Sequence, residues 1–312
     1  MKRVFLLFCL GCTLLLFAAC STQEPQEERQ LNQDIEQGIR EHLQVLCGEK
    51  MAGRAGGTEG EAETALYLAN FLQERGLKPA GEGETYFQTF SLKEYAPKKV
   101  GERMTFAPVS STEKGSSANV LGLLEGRKKE VIIVSAHYDH LGMINGQLYP
   151  GANDNASGVS AVLEIIAGLV EKGKPEKTLL FTFWGSEEKG LIGSKYFCTH
   201  PTLPLEQIKC IVNFDSLGNL TSKKLLLGWQ DEENELTKEI TEKLAEDGWQ
   251  INWKNDSGHS SDHFSFSQKK VPGFTLLSPD WLKNNHTPLD TVTEIRTAPL
   301  RELVLSFIDI LK

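Results

Sequence analysis

Residues 131–140 read "VIIVSAHYDH". The first six are apolar or small without interruption, the pattern of a strand buried on both faces rather than one. The run then ends abruptly in His137, Tyr138 and Asp139. Three further runs behave alike: "TLLFTFW" (178–184), "KCIVNF" (209–214) and "GFTLL" (273–277). Helical spacing separates them over 155–172, about 191–197 and 231–247, and a last amphipathic helix is expected over 299–311. Short doubly buried strands alternating with helices predict an α/β fold, a three-layer sandwich with a mostly parallel, mixed central sheet.

Towards the N-terminus the rhythm changes. Apolar residues at Leu31, Ile35, Ile39, Leu43 and Leu46 predict a helix ending near Gly48. Thr58 and Glu61 form a capping-box pattern ahead of a second helix, which Gly76 and Pro79 terminate. Residues 85–125 divide into short strand-like pieces such as "TYFQTF". Residues 31–312 are expected to form a single catalytic domain.

The first twenty residues, "MKRVFLLFCLGCTLLLFAAC", have a basic start and an apolar run too short to cross a membrane comfortably. They read as an export signal, residues 1–19. Phe17-Ala-Ala-Cys20 resembles a bacterial lipobox, which implies cleavage before Cys20 and lipid attachment to its sulfur. Residues 20–30 would then be a polar, lipid-anchored flexible tether in the cell envelope, with Ser21 suited to outer-membrane sorting. Cys47, Cys198 and Cys210 remain, and a Cys198–Cys210 disulfide is open in an exported protein. The 312 residues carry a net charge of −9 with no large basic cluster, which argues against nucleic acid as a partner.

In open α/β sheets, ligands sit beyond the carboxyl ends of the strands. The residues just past each buried run form a consistent series: His137 and Asp139, then Glu187 and Glu188, then Asp215, and after a loop His286. Asp154 lies in "GANDNASG" (151–158), among residues with very small side chains. Any one of these is ordinary for a surface pair or a loop, but several carboxylates and imidazoles arriving at one rim have the ligand chemistry of zinc.

The order "MAGRAGGTEGE" (51–61), "SAHYDH", "GANDNASG", "WGSEEKGLIGS", "FDSLG", "SSDHFSF" and "HTPLDT" resembles the zinc-dependent exopeptidases of the bacterial leucyl aminopeptidase and aminopeptidase Y type, across nearly the whole exported chain. The resemblance implies the zinc-exopeptidase (phosphorylase/hydrolase-like) fold, two zinc ions, and peptides with a free N-terminus as substrates. It makes Asp154 the carboxylate between both metals, His137 and Asp215 the other ligands of one, and Glu188 and His286 those of the second. Glu187 matches the general base, and Asp139 the carboxylate behind His137. Some relatives carry a tyrosine for the oxyanion where this chain reads "NDSGHSSDHF", so His259 is the candidate there. His263 is expected to support structure, and His42, His140 and His200 to have no part in the site.

Three alternatives stand beside this reading: a glutaminyl cyclase-like enzyme with a single zinc, a carboxypeptidase of the same family, and a tethered binding protein without catalysis. The carboxypeptidase needs a cation for the terminal carboxylate, and no arginine is clearly positioned for it in the sequence.

Overall fold

The four apolar runs form adjacent parallel strands at the centre of a mixed sheet, in a computed structural model that describes residues 26–228, 234–254 and 260–312. The expected signal, Cys20 and His259 lie outside the described residues. The chain begins with α1 (Gln26–Leu46) and α2 (Glu59–Glu74), then a two-residue β1 (Lys78–Pro79). A long hairpin comes next, β2 (Phe87–Val100) and β3 (Arg103–Leu124), and then β4 (Lys128–His137). A small hairpin of β5 (Gly142–Ile144) and β6 (Gln147–Tyr149) precedes α3 (Gly158–Lys172), β7 (Lys177–Trp184) and α4 (Ile192–Thr199). The rest is β8 (Ile208–Phe214), β9 (Lys224–Gly228), α5 (Glu235–Glu246), β10 (Gln250–Lys254), α6 (His263–Ser267), β11 (Gly273–Leu277) and α7 (Thr297–Leu311).

The main sheet runs β1-β3-β7-β4-β8-β11-β9-β10, with β2 on β3. β4 is parallel to β7 and β8, and β8 to β11, while β3 meets β7 and β9 meets β11 antiparallel. Strand alternation sorts side chains into two cores. Ile132, Val134, Leu179, Phe181, Cys210 and Val212 face α1, α2, α3 and α7, while Val131, Ile133, Leu180, Trp184 and Ile211 face Phe197 of α4 and Phe266 of α6. Helices on both faces of the sheet make the three layers. Ile35, Ile39, Leu43 and Leu46 form the buried stripe of α1.

The open disulfide question is answered and two expectations are corrected. Cys198 and Cys210 are free, because they fall in the two cores on opposite faces of the sheet. Residues 26–30, expected in the tether, already belong to α1, where glutamine, glutamate and arginine are good helix formers. Residues 85–125 are not short pieces but mostly one hairpin, kinked by register shifts between Ser91 and Tyr95 and closed by Gly101 (φ 63) and Glu102 between the paired Val100 and Arg103. Among the described residues, no helix is long and apolar enough to cross a membrane.

"MAGRAGG" positions the loops under the site. Arg54, 1% exposed, donates to four carbonyls: Tyr138 (2.8 Å), Leu46 (2.6 Å), Pro150 (2.9 Å) and Gly151 (2.9 Å). It thereby ties the segment after His137 to the segment before Asp154. Replacing Arg54 by methionine is expected to cost about 3–5 kcal/mol, since it strands several buried acceptors at once. Urea unfolding checks this, and a loss below about 1 kcal/mol would show that water replaces the guanidinium without difficulty.

Candidate metal centre

Every chemical residue singled out in the described sequence reaches the carboxyl rim of the sheet, and the backbone there is under strain. His137 ends β4, Glu187 and Glu188 come after β7, Asp215 after β8, and His286 lies in the loop after β11. Ser186 (φ 53), Leu191 (φ 61), Ser216 (φ 49) and His286 (φ 58) all adopt the left-handed region, which non-glycine residues enter only where surrounding contacts enforce it. For Ser186 the enforcement comes from Glu61. Its carboxylate accepts from Ser186 N (3.0 Å), Ser186 Oγ (3.1 Å), Ser117 Oγ (2.7 Å) and Gly57 N (2.6 Å). The expected reciprocal cap is therefore only half made. Thr58 accepts from Glu61 N at 3.5 Å, but the Glu61 carboxylate is diverted to the turn that carries Glu187.

"GANDNASG" is not the start of a helix. Asp154 (φ −110, ψ 95) and Asn155 (φ −131, ψ 36) are non-helical, and α3 begins only at Gly158. The Asn155 side chain takes over backbone bonding: it donates to Phe214 O (2.8 Å) and accepts from Gly158 N (3.0 Å) and Ser216 N (3.2 Å). Ser157 Oγ accepts from Leu217 N (3.0 Å) and Gly218 N (3.1 Å). The segment is thus stitched to the end of β8, which brings Asp154 beside Asp215. Small residues are needed because backbones touch. A Cβ on Gly158 would lie 2.5 Å from Phe214 O, and one on Gly151 (φ 60) would lie 2.4 Å from both Asp154 O and the His140 ring. From the other side Asp290 accepts from Asn153 N (2.7 Å) and Asp154 N (3.0 Å).

The two oxygens of Asp154 face different partners. Oδ1 lies 3.2 Å from His137 Nε2, and Oδ2 lies 3.1 Å from His286 Nε2. His137 Nε2 is also 3.6 Å from Asp215 Oδ1, and His286 Nε2 is 3.1 Å from Glu188 Oε2. His137, Asp154 and Asp215 bring ligand atoms within 4.8 Å of one another, and so do His140, Asp154 and Glu188. Two imidazoles therefore contend for the second group. His286 lines the open cavity of about 290 Å³ with Asp154 and Glu188. His140, expected to stand apart from the site, is fully buried behind Glu188 and donates from Nδ1 to Oε1 at 2.9 Å. We take His286 as the ligand-type histidine and His140 as the residue that orients Glu188.

Tautomers agree with this assignment. His286 Nδ1 donates to the carbonyl of Met104 (2.6 Å) and His137 Nδ1 to that of Asp139 (3.2 Å), leaving each Nε2 for the centre. Asp139 departs from expectation here. Its carboxylate lies 3.7 Å from His137 Nδ1, too long for a hydrogen bond, and instead accepts from Glu187 N (2.8 Å) and Glu188 N (3.2 Å). It anchors the acidic turn more than the imidazole.

The electrostatics explain why the residues fit a cation. Burial alone would raise the Asp154 carboxyl and lower His286, but hydrogen bonds from His137 and His286 hold Asp154 well below the usual range. Glu188 and Asp154 push His286 up to about 11. Burial is likewise outweighed at Glu188, where His286 and His140 pull it down to about 2. Glu187, next to Glu188, Asp262 and Asp215, goes the other way: burial and those like charges raise it well above the carboxylate range, against the pull of His137. Protonated imidazoles here stand where positive charge is required, amid an excess of oxygen donors. An N/O donor set with two groups sharing one carboxylate suits a pair of zinc-like divalent cations.

Several contributors carried no expected role. Asp262, in "SSDHFSF", is fully buried with both oxygens unpartnered and is pushed up to about 7 by burial. Asn285, the neighbour of His286, donates to Asp154 Oδ2. Asp290 lies four residues beyond His286, inside the same "HTPLDT". Asp262 and Asp290 lie within the quoted stretches, which was the available signal for those two. Of the other histidines set aside, His263 bonds Thr275 Oγ1, His42 bonds Tyr67 and Glu164 far from the rim, and His200 stacks on Tyr196.

A mixed α/β sheet thus carries at its rim one carboxylate shared between two imidazole–carboxylate sets, the arrangement of a candidate metal centre. The chain belongs to peptidase family M28, whose pattern matches residues 119–309. It is 27% identical over 205 residues to "Aminopeptidase YwaD" of Bacillus subtilis, covering 60% of this chain and 42% of that protein. It is 37% identical over 114 residues to "Probable lipoprotein aminopeptidase LpqL" of Mycobacterium tuberculosis, covering 36% of this chain and 19% of that one. The matched stretch thus spans less than half the length of either relative. The fold superposes on BSAP, a zinc aminopeptidase from Bacillus subtilis, with TM-score 0.68 at 17% identity over 88% of this chain and 94% of that one. It superposes nearly as well on a Bacteroides thetaiotaomicron glutaminyl cyclase, with TM-score 0.66 at 17% identity over 88% and 97%.

Proposed function

We propose that this chain is an aminopeptidase that removes N-terminal residues from peptides with two zinc ions. The observation that carries the reading is Asp154, whose two oxygens face His137 and His286 separately at 3.2 and 3.1 Å. When bound, the zinc pair supplies Lewis acidity, acidifying a water and polarising the peptide carbonyl. His137 and Asp215 would hold one ion, Glu188 and His286 the other, with Asp154 between them. Glu187 lines the same cavity and belongs to neither set, so it is free to take a proton from the attacking water and return it to the departing amine. His259 is the proposed oxyanion contact. Residues 31–312 are the proposed catalytic domain, and lipidation at Cys20 after removal of residues 1–19 is the proposed link to the envelope. "FAAC" and the likeness to a protein called a lipoprotein aminopeptidase support the anchor.

Fold likeness does not choose between peptidase and cyclase, since both superpose similarly. The site favours the peptidase, because a single zinc would leave either the His137–Asp215 or the Glu188–His286 pair without a task. Metal analysis is expected to give two zinc ions per chain, with release of nitroaniline from aminoacyl nitroanilides. One zinc per chain together with cyclisation of N-terminal glutamine would replace this reading with the cyclase. Because His286 is held as high as about 11 without metal, a proton must leave it before it can ligate, so zinc affinity should fall about tenfold per pH unit of acidification at this site.

A further inference from the structure

Arg103 begins β3, at the tip of the hairpin and outside the 119–309 stretch that matches the family. The tip reaches across the molecule to the His286 loop, where Met104 N donates to His286 O (3.4 Å) and His286 Nδ1 to Met104 O (2.6 Å). Lys189 fastens the same hairpin, its ammonium 5.6 Å from the Tyr95 ring and 5.3 Å from that of Phe106. The hairpin thereby becomes a wall of the cavity of about 290 Å³ that His137, Asp154, Glu187 and His286 open into.

Arg103 is the sole lysine or arginine lining that cavity among the described residues. Its Nη2 donates to Asn285 Oδ1, and its guanidinium lies 5.8 Å from the Trp281 ring. It forms no ion pair with any carboxylate of the site, and its Nε is buried without a partner. A guanidinium carries five N–H donors in a planar fork, so the one spent on Asn285 leaves others able to pair with a carboxylate. Asp154, Glu188, Asp215 and Asp139 are already held, by imidazoles or by backbone and hydroxyl donors. Asn285 also bonds Asp154, so the Arg103 guanidinium lies two hydrogen bonds and one carboxamide from the Asp154 carboxylate, at most about 8 Å. A residue spans at most about 3.6 Å, so that gap admits about one residue plus the anion contact.

We propose that Arg103 binds a substrate carboxylate lying one residue from the scissile bond. This rests on the peptidase reading and narrows it: the preferred substrate is either a dipeptide, through its terminal carboxylate, or a peptide with an acidic first side chain. In either case Arg103 supplies the cation that the sequence alone did not reveal.

Two substrate pairs test it on the zinc-loaded protein: Leu-Gly against Leu-Gly amide, and glutamyl against glutaminyl nitroanilide. Charge-assisted bonds of this kind predict a 10- to 100-fold kcat/KM preference for the charged member of one pair, roughly. Preference in the first pair assigns the terminal carboxylate, and in the second the acidic side chain. In R103Q the ratio should collapse towards one, and in R103K it should be partly retained, whatever happens to absolute rates. Ratios near one in the unaltered protein, or a uniform loss in R103Q with the ratio intact, overturn the proposal and leave the peptidase reading standing. Absence of turnover on all four substrates overturns both.

Discussion

Replacing Glu187 by glutamine is expected to lower kcat roughly a hundred- to ten-thousand-fold while zinc content stays unchanged. That corresponds to about 3–5 kcal/mol of lost transition-state stabilisation. Glutamine keeps the size and the backbone anchorage, since the contact to Asp139 is made by Glu187 N at 2.8 Å and not by its side chain. What disappears is an oxygen able to receive a proton. The surroundings tune that oxygen: burial and the charges of Glu188, Asp262 and Asp215 raise its affinity for a proton, against the pull of His137. Because Glu187 belongs to neither three-residue ligand group, its loss should not release metal. Metal analysis and steady-state kinetics on the same preparation decide the matter. A variant that keeps more than about a tenth of kcat removes Glu187 from the proton path, and one that loses zinc makes it a ligand.

The central strands were legible in the sequence because a strand buried on both faces has no polar positions to dilute it. Ile132 and Val134 serve one core, Val131 and Ile133 the other, so the run is apolar throughout. His137, Glu187 and Asp215 were legible for the same reason, as the first ionisable groups after their runs. Roles that depend on distant chain were not. Arg103 meets Asn285 across 182 positions, and its own neighbourhood along the chain is a half-exposed ribbon. The family resemblance implied that the Asp139 carboxylate backs the His137 ring, yet two backbone N–H groups from the turn after β7 compete for it and win. The start of α3 was misplaced because the Asn155 side chain bonds backbone groups of a strand far away in sequence, which local propensity cannot register.

Replacing Asp154 by alanine is expected to remove both zinc ions, not one, and to abolish measurable turnover. Two divalent cations in a shared site, at the roughly 4 Å common to such pairs, repel each other by about 17 kcal/mol at an effective dielectric of about 20. A carboxylate with one oxygen towards each ion offsets that repulsion and is lost in a single substitution. Loss of Asp215 or Glu188 touches one group alone, so each of those variants should retain one ion more firmly than the Asp154 variant retains either. The fold should survive, because the segment is held by Asn155, Ser157 and Asp290 through contacts that do not involve the Asp154 carboxylate. Without metal that carboxylate is the partner of two imidazoles, which hold it well below the usual range, so the melting temperature in chelator should fall while the transition stays cooperative. Zinc analysis of the three variants side by side tests the shared ligand directly. An Asp154→Ala protein that still carries one tightly bound zinc would mean that the two groups are independent, and that the bridge exists in the geometry of the site but not in its energetics.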